Sequence, residues 1–454
     1  MQDIKKIIQD QRKWFNRGKT LPLEMRKAAL LRLKNELEAQ EVHLEEALEK
    51  DLGKSRFESY LSEIGLIKEE LDYQLKNMNR LAKRIKKRTP AHQFFASSCV
   101  RRMPYGVVLI MSPWNYPAML SLSPLIGAIA AGNCVVLKPS AYAPAVSAAL
   151  KKLLEGCFDT RHAAVIEGGR AENAALLDEK FDYIFFTGSA QVGRLVMEKA
   201  AKNLTPVSLE LGGKSPCIVD DTADIALAAR RIVFGKFLNA GQTCVAPDYI
   251  LADKKISARL VEALKKEILR QYGAHPLEDR HWPKIINAKH YERLTGLLQN
   301  CKILYGGKGD GVRIEPTLVK AAPDAPIMLE EIFGPVLPVL EVENFEEAKD
   351  FIRQRPRPLA CYLFTHSKKH RHIYETELNF GGGCINDTLT HLINPQLGFG
   401  GVGESGMGRY HGAYSFQTFS YEKSILRRYE FLDAPFRYRP VTKLNEWVVR
   451  TFLK

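Results

Sequence analysis

"FDYIFFTGSAQVGRLVMEKAAK", Phe181 to Lys202, decides the fold. It opens as a short apolar run from Tyr183 to Phe186, halts at Thr187-Gly188, and then changes to a helical period. Ser189 stands where an N-cap belongs, and Val192, Leu195, Val196 and Ala200 are the expected inward face of the helix that follows. A strand feeding a helix across a Gly-Ser turn is half of a βαβ unit. A helix N-terminus bare of side chains, with a hydroxyl beside it, suits a phosphate, because unsatisfied N–H groups and the helix dipole both favour an anion. Plain capping explains the same residues, since G-S-x-x-x-G is not the G-x-G-x-x-G fingerprint.

Outward from this stretch the texture repeats. "YGVVLIMSPW", "NCVVLKPS", "AAVIEGG" and "VSLELGG" are short Val- and Ile-rich runs ended by Gly, Pro or Ser, with helical segments such as "APAVSAALKKLLEGC" between them. Alternating strands and helices predict an α/β fold with a doubly wound parallel sheet and ligands at the carboxyl ends of its strands. After Gly212 a second alternation ("SPCIVD", "DYILAD", "GPVLPVLEV", "LACYLFT", "GGCIND") predicts a second α/β unit. Upstream, Leu21 to Lys83 is helical in period, with Leu30, Leu33, Leu37, Leu44 and Leu48 on one stripe. The Gly-rich tail from Asn394 reads as an ordered loop followed by an edge strand. Its "GFGGVG", Gly398 to Gly403, fits G-x-G-x-x-G literally, but no apolar strand enters it and no periodic helix leaves it.

With 454 residues the chain is long enough for two or three domains, and 45% hydrophobic with 26% charged residues is the balance of a soluble enzyme. No apolar stretch is long enough to span a bilayer: "SLSPLIGAIAAGNCVVLKPS" reads as a buried helix, a turn and a strand, and "KLNEWVVRTFLK" is too short and too charged. The charged N-terminus lacks the apolar core of a signal peptide. Eight dispersed cysteines, with no C-x-x-C pair and no zinc spacing, fit free thiols in a reducing cytosol. The net charge of +14 is densest at "RLAKRIKKR", Arg80 to Arg88, which without interleaved aromatics reads as a solvated helix end, so nucleic acid is not an expected partner.

Three residues stand out chemically. In "FLNAGQTCVAPDY", Phe237 to Tyr249, Cys244 has small, polar, turn-prone neighbours, and so is presented rather than packed. In "TPVSLELGGKSP", Glu210 falls within a buried-looking strand; it is either paired structurally or held partly protonated as a general base. In "VLIMSPWNYPAML", Asn115 either closes a turn or donates to an oxyanion.

Taken together, "PWNYP", "LKPS", "FTGSAQVG", "LELGGKSP", "AGQTCVAPDY", "EEIFGPV" and "GFGGVGESGMGRYHG" resemble the aldehyde dehydrogenase superfamily, in its order and spacing, from about Leu21 to Arg428. Ala-Pro-Asp-Tyr after the cysteine, the "GMGRYHG" tail and an opening without a long N-terminal arm are most similar to class 3, the fatty and aromatic aldehyde dehydrogenases. The resemblance implies NAD or NADP as cofactor and a medium- or long-chain aliphatic or an aromatic aldehyde as substrate. It makes Cys244 the nucleophile that forms a thiohemiacetal and then a thioester, Asn115 an oxyanion donor and Glu210 the base that admits water. It places Trp114, Lys138, Gly188, Ser189, Gly193, Leu211, Gly212, Glu331 and Phe333 at the cofactor, and no metal.

The implied architecture is an N-terminal helical and Rossmann-like cofactor domain over 1–211, a catalytic domain over 212–393, and a C-terminal loop, oligomerisation strand and tail over 394–454. An oligomerisation hairpin falls at 89–103, and the expected assembly is a cytoplasmic homodimer. One position departs from the family pattern: the Glu usual after "KPS", which binds the ribose 2′-hydroxyl, is Ala141 here, so NADP is expected to be accepted readily. An acylating relative that passes its thioester to coenzyme A would need no Glu210. A non-enzymatic binding protein would need none of Cys244, Glu210 and Asn115.

Overall fold

The computed structural model describes residues 3–93, 95–299, 301–431, 433 and 437–452. Two mostly parallel sheets carry the molecule, and a small antiparallel one sits beside them. The first sheet runs in the order Gly406–Met407, Val207–Leu211, Tyr183–Gly188, Val107–Met111, Cys134–Lys138, Ala163–Val165. All its pairs are parallel except that of Gly406–Met407 with Val207–Leu211, which sets Gly406 opposite Glu210. Val107–Met111 comes first in the chain yet lies inside the sheet, with later strands on both sides. The winding therefore reverses there, and the crevice for a ligand opens beyond the carboxyl ends of Val107–Met111 and Tyr183–Gly188.

The second sheet runs Lys302–Tyr305, Thr317–Lys320, Val336–Val342, Tyr249–Asp253, Pro216–Val219, Ala360–Phe364, Gly382–Ile385, parallel throughout except for its first pair. The third joins Ile85–Lys87, Ala96–Pro104 and Ser420–Arg428 in antiparallel register. The basic cluster thus ends differently from its reading as a helix end: the helix Gly65–Ala82 stops, and Ile85–Lys87 pairs with residues 98–100.

The helical opening section forms as its period predicts. Leu30, Leu33, Leu37, Leu44 and Leu48 are fully buried or nearly so, each contributing roughly 1.5–3 kcal/mol by leaving water. They share one core with Pro144–Cys157 and with Met119–Ala131, a helix buried on every side, which is the mark of a central element and not a surface one. The helix Ala190–Ala201 differs from expectation on one face. Ser189 caps it, accepting from Val192 N–H at 3.4 Å, and Val196 and Ala200 are buried, but Val192 and Leu195 are exposed. The inward stripe is instead Gly193, Val196 and Ala200, because Gly193 brings the helix against Leu211: a Cβ there would come within 2.8 Å of the Leu211 side chain.

Candidate active site

Val107–Met111 delivers Trp114 and Asn115 to one side of the crevice, and Tyr183–Gly188 delivers Gly188 and Ser189 to the other. Val207–Leu211 adds Glu210 and Leu211, and Gly212 follows. From the second unit come Cys244, on the loop before Tyr249–Asp253, and Glu331 and Phe333, on the loop before Val336–Val342. All of these line one cavity of about 480 Å³. Gly193 and Lys138 stand just outside it. Gly193 acts through the packing described above, and Lys138 ends its strand with Nζ donating to the carbonyls of Pro139 (2.8 Å) and Gly168 (2.6 Å), burial pushing its pKa down.

The loop that leads to Cys244 is strained. Asn239, Ala240 and Gly241 all have positive φ (54°, 49° and 72°), a conformation that costs of order 1–3 kcal/mol at a non-glycine residue. Gln242 holds it: Nε2 donates to the carbonyls of Asn239 and Lys284 at 3.1 Å each, and Oε1 accepts from Ile286 N–H at 3.0 Å. The half-buried Cys244 thiol is pushed up in pKa by burial, with Glu331 and Glu210 adding to the effect. Asn115 is 2% exposed and donates one side-chain N–H to Gln242 O at 3.0 Å, leaving its second N–H without an acceptor among the described residues.

Glu210 is equally buried, and neither carboxylate oxygen has a protein partner among the described residues; nor has the Thr187 hydroxyl beside it. Burial raises the Glu210 pKa well above the usual 4.5. Glu331 is raised to about 8 by burial first and Asp248 second, while the Gly213 N–H, Lys214 and Lys236 pull the other way. Lys214 braces this corner, donating to Asp248 and to the carbonyls of Ile327 (3.0 Å) and Glu330 (2.8 Å). A Cβ at position 212 would lie 1.9 Å from Glu331 Oε2, so only glycine lets that carboxylate in. Phe333, at φ 51°, meets Trp114 edge-on at 5.3 Å.

A helix N-terminus capped only by Ser189, aromatic rings and the Glu210 carboxyl oxygens, without protein partners among the described residues, all face one cavity and fit a dinucleotide. A second cavity, about 250 Å³, meets the first at Cys244. It is apolar, its walls including Leu61, Leu66, Phe234, Leu389, Leu392 and Ile393. The Cys244 thiol, with Leu120, thus borders the carboxylate-bearing cleft on one side and the apolar pocket on the other.

The profile of the aldehyde dehydrogenase family matches residues 1–425. The chain belongs to the aldehyde dehydrogenase family. It is 46% identical to the 4,4′-diaponeurosporen-aldehyde dehydrogenase of Staphylococcus aureus (strain NCTC 8325 / PS 47) over 96% of each chain. It is likewise 46% identical to aldehyde dehydrogenase family 3 member B1 of Rattus norvegicus, over 98% of this chain and 96% of that one. The solved structure described as the substrate-bound state of Staphylococcus aureus AldH superposes with a TM-score of 0.98, at 45% identity over all of both chains. The relatives place this aldehyde dehydrogenase in class 3, and it oxidises aldehydes to carboxylic acids with NAD or NADP.

Several lining residues carried no signal in the sequence. His290, whose ring lies 5.4 Å from Trp114, and Arg293, which donates to Ile332 O at 2.5 Å, come from the helix Ala288–Leu298, which holds no motif. Tyr116, whose hydroxyl bonds Thr243 Oγ1 at 2.6 Å, sits inside "PWNYP" and is readable as a site residue only once that contact is known.

Proposed function

We propose that Cys244, Asn115 and Glu210 are the catalytic residues of this aldehyde dehydrogenase, acting on medium- or long-chain aliphatic and aromatic aldehydes. The observation that carries the reading is that Cys244 borders both cavities, so an aldehyde entering through the apolar pocket meets sulfur with the cofactor cleft on its far side. The thiolate adds to the carbonyl carbon. The free N–H of Asn115 and the Cys244 backbone N–H hold the resulting oxyanion, worth about 3 kcal/mol per donor. A nicotinamide bound in the cleft supplies the two-electron acceptor that turns the thiohemiacetal into a thioester. Glu210 then takes a proton from water, which cleaves the C–S bond and frees the acid. The raised pKa of Glu210, and its two oxygens without protein partners, support a base for water over transfer to coenzyme A.

Glu331 and Phe333 shape the nicotinamide half of the cleft, with Trp114 against Phe333. Gly188 and Ser189 receive the pyrophosphate, Gly193, Leu211 and Gly212 set how close it lies, and Lys138 reaches the adenosine ribose. The pocket wall favours chain length: each buried methylene adds about 0.8 kcal/mol, so kcat/KM rises about fourfold per carbon until the pocket is full. Aldehydes of two to sixteen carbons and benzaldehyde, run with each cofactor, test this; a flat series overturns it.

We read the assembly as a homodimer built on the third sheet, because Ser420–Arg428 is an outer strand with Tyr421, Ile425 and Leu426 exposed. A cytoplasmic location is favoured by eight free cysteines. No helix among the described residues is long and apolar enough to cross a membrane.

A further inference from the structure

Beneath the turn that carries Asn115 lies a pair of charges that the reaction does not consume. Lys54 Nζ and Glu63 Oε1 are 2.5 Å apart, and both side chains are 0% exposed. Taking two ions out of water costs several kcal/mol each, and an apolar pair of similar volume often stabilises a fold as well, so stability alone does not call for them. Their remaining bonds all go to one place. Lys54 Nζ donates to Asn115 O at 3.1 Å and lies 4.1 Å from the centre of the Tyr116 ring. Glu63 Oε2 accepts from the N–H groups of Ala118 (2.8 Å) and Met119 (3.1 Å), at the start of the central helix, where the dipole favours a carboxylate.

The pair therefore grips both ends of the segment 115–118. The same segment touches the nucleophile loop three times. Asn239 Nδ2 donates to Asn115 O at 2.8 Å, Asn115 Nδ2 donates to Gln242 O, and the Tyr116 hydroxyl bonds Thr243. Glu63 reaches this position from Tyr60–Ile64, a π-helical turn of a kind that is rare and concentrated at functional sites. Glu58, one turn earlier, accepts from Asn239 N–H at 2.7 Å and presents a second carboxylate to the neighbourhood of Lys54.

We propose that Lys54 and Glu63 are positioning residues that aim the Asn115 amide at the oxyanion. This rests on the reading of Asn115 as an oxyanion donor. With its carbonyl fixed by a cation and the following N–H groups fixed by an anion, the Asn115 backbone has one orientation, and the side chain inherits it. A misplacement of about 1 Å in such a group costs on the order of 100-fold in rate without weakening substrate binding.

The test is a double-mutant cycle on the full-length enzyme. Lys54→Met and Glu63→Gln are each expected to lower kcat by about 10- to 100-fold, with KM for the aldehyde and Kd for NAD, read by tryptophan fluorescence, changed less than about twofold. In an Asn115→Ala background the same substitutions are expected to cost less than about twofold further, because the group they aim is gone. Should a single variant fail to fold, Lys54→Met/Glu63→Leu removes both charges at similar volume and is expected to keep its Tm while losing kcat. Unchanged kcat in these variants overturns the proposal. So do losses that multiply with that of Asn115→Ala, which would mark a general structural role. Full kcat in Asn115→Ala alone overturns the donor reading as well.

Discussion

Cys244 sits where its own ionisation is disfavoured, by burial and by two carboxylates. If Cys244 is the nucleophile proposed above, its thiolate is disfavoured in the free enzyme and its intrinsic nucleophilicity carries the first step. Cys244→Ser is expected to lower kcat by roughly 1000-fold or more with the fold intact, and mass spectrometry of enzyme quenched during turnover is expected to place the acyl group on Cys244. Glu210 makes a pH-dependent prediction. Its carboxyl titrates near 4.5 when unfolded and well above that when folded, so over that interval the folded state holds the extra proton, and stability falls as pH rises. Glu210→Gln should therefore raise Tm by an increment that grows with pH above about 4.5. The same variant should accumulate the thioester and lose the parent's rise in hydrolytic rate with pH; a Tm increment independent of pH counts against the buried acid. Ala141 is exposed at the start of the loop after Lys138. Ala141→Glu is expected to shift the NAD over NADP ratio of kcat/KM by about tenfold or more toward NAD, the worth of one charge-assisted hydrogen bond plus repulsion of a 2′-phosphate. Cys244 and Glu210 stood out in the sequence as candidates, the structure brings both to one cavity, and the roles proposed for them come from the family resemblance and not from local pattern. Lys54 and Glu63 did not stand out, since a lysine and a glutamate in a helical section look like surface charges until the fold shows them wholly enclosed.

The elements were readable to the extent that their own period fixes them. The strand, turn and helix of residues 181–202 formed as the pattern indicated, yet Val192 and Leu195 face outward, because Gly193 lets the helix rotate its smallest face onto Leu211. Periodicity identifies a helix, but a close approach selects which stripe goes inside. Ile85–Lys87 was hidden for a related reason: three residues with two lysines carry no strand signal, and pairing with Ala96–Pro104 makes the strand. The packing of Ala190–Ala201 gives a test at this scale. Gly193→Val places its branched Cβ against Leu211 and must push the helix N-terminus away from the sheet. Its expected effect is a raised KM for the cofactor, with labelling of Cys244 by iodoacetamide in the free enzyme unaltered. Loss of labelling as well would mean that the helix also supports the nucleophile loop.

For the molecule as a whole, the segment after Leu211 crosses from the first sheet to the second, and the cavity lies between them, taking Asn115, Gly188 and Glu210 from the first and Cys244, Glu331 and Phe333 from the second. Two-unit architecture followed from counting strand-helix alternations. The edge strand expected in the tail is Ser420–Arg428, but the pairing of Gly406–Met407 with Val207–Leu211 escaped, because Gly-rich sequence has no period to read. If the third sheet is the seam between subunits, Ile425→Asp should convert a dimer to monomer in light scattering, with kcat of the residual fold little affected; an unchanged mass refutes that seam. The tail's pairing of Gly406 with Glu210 has a consequence for biosynthesis. The outermost strand of the first sheet is synthesised some two hundred residues after its neighbour. As the polypeptide leaves the ribosome, that border stays uncovered, with free amide and carbonyl groups exposed to other nascent chains, until residues 406–407 have emerged. Premature termination anywhere before this point should yield aggregates, not a shorter working protein.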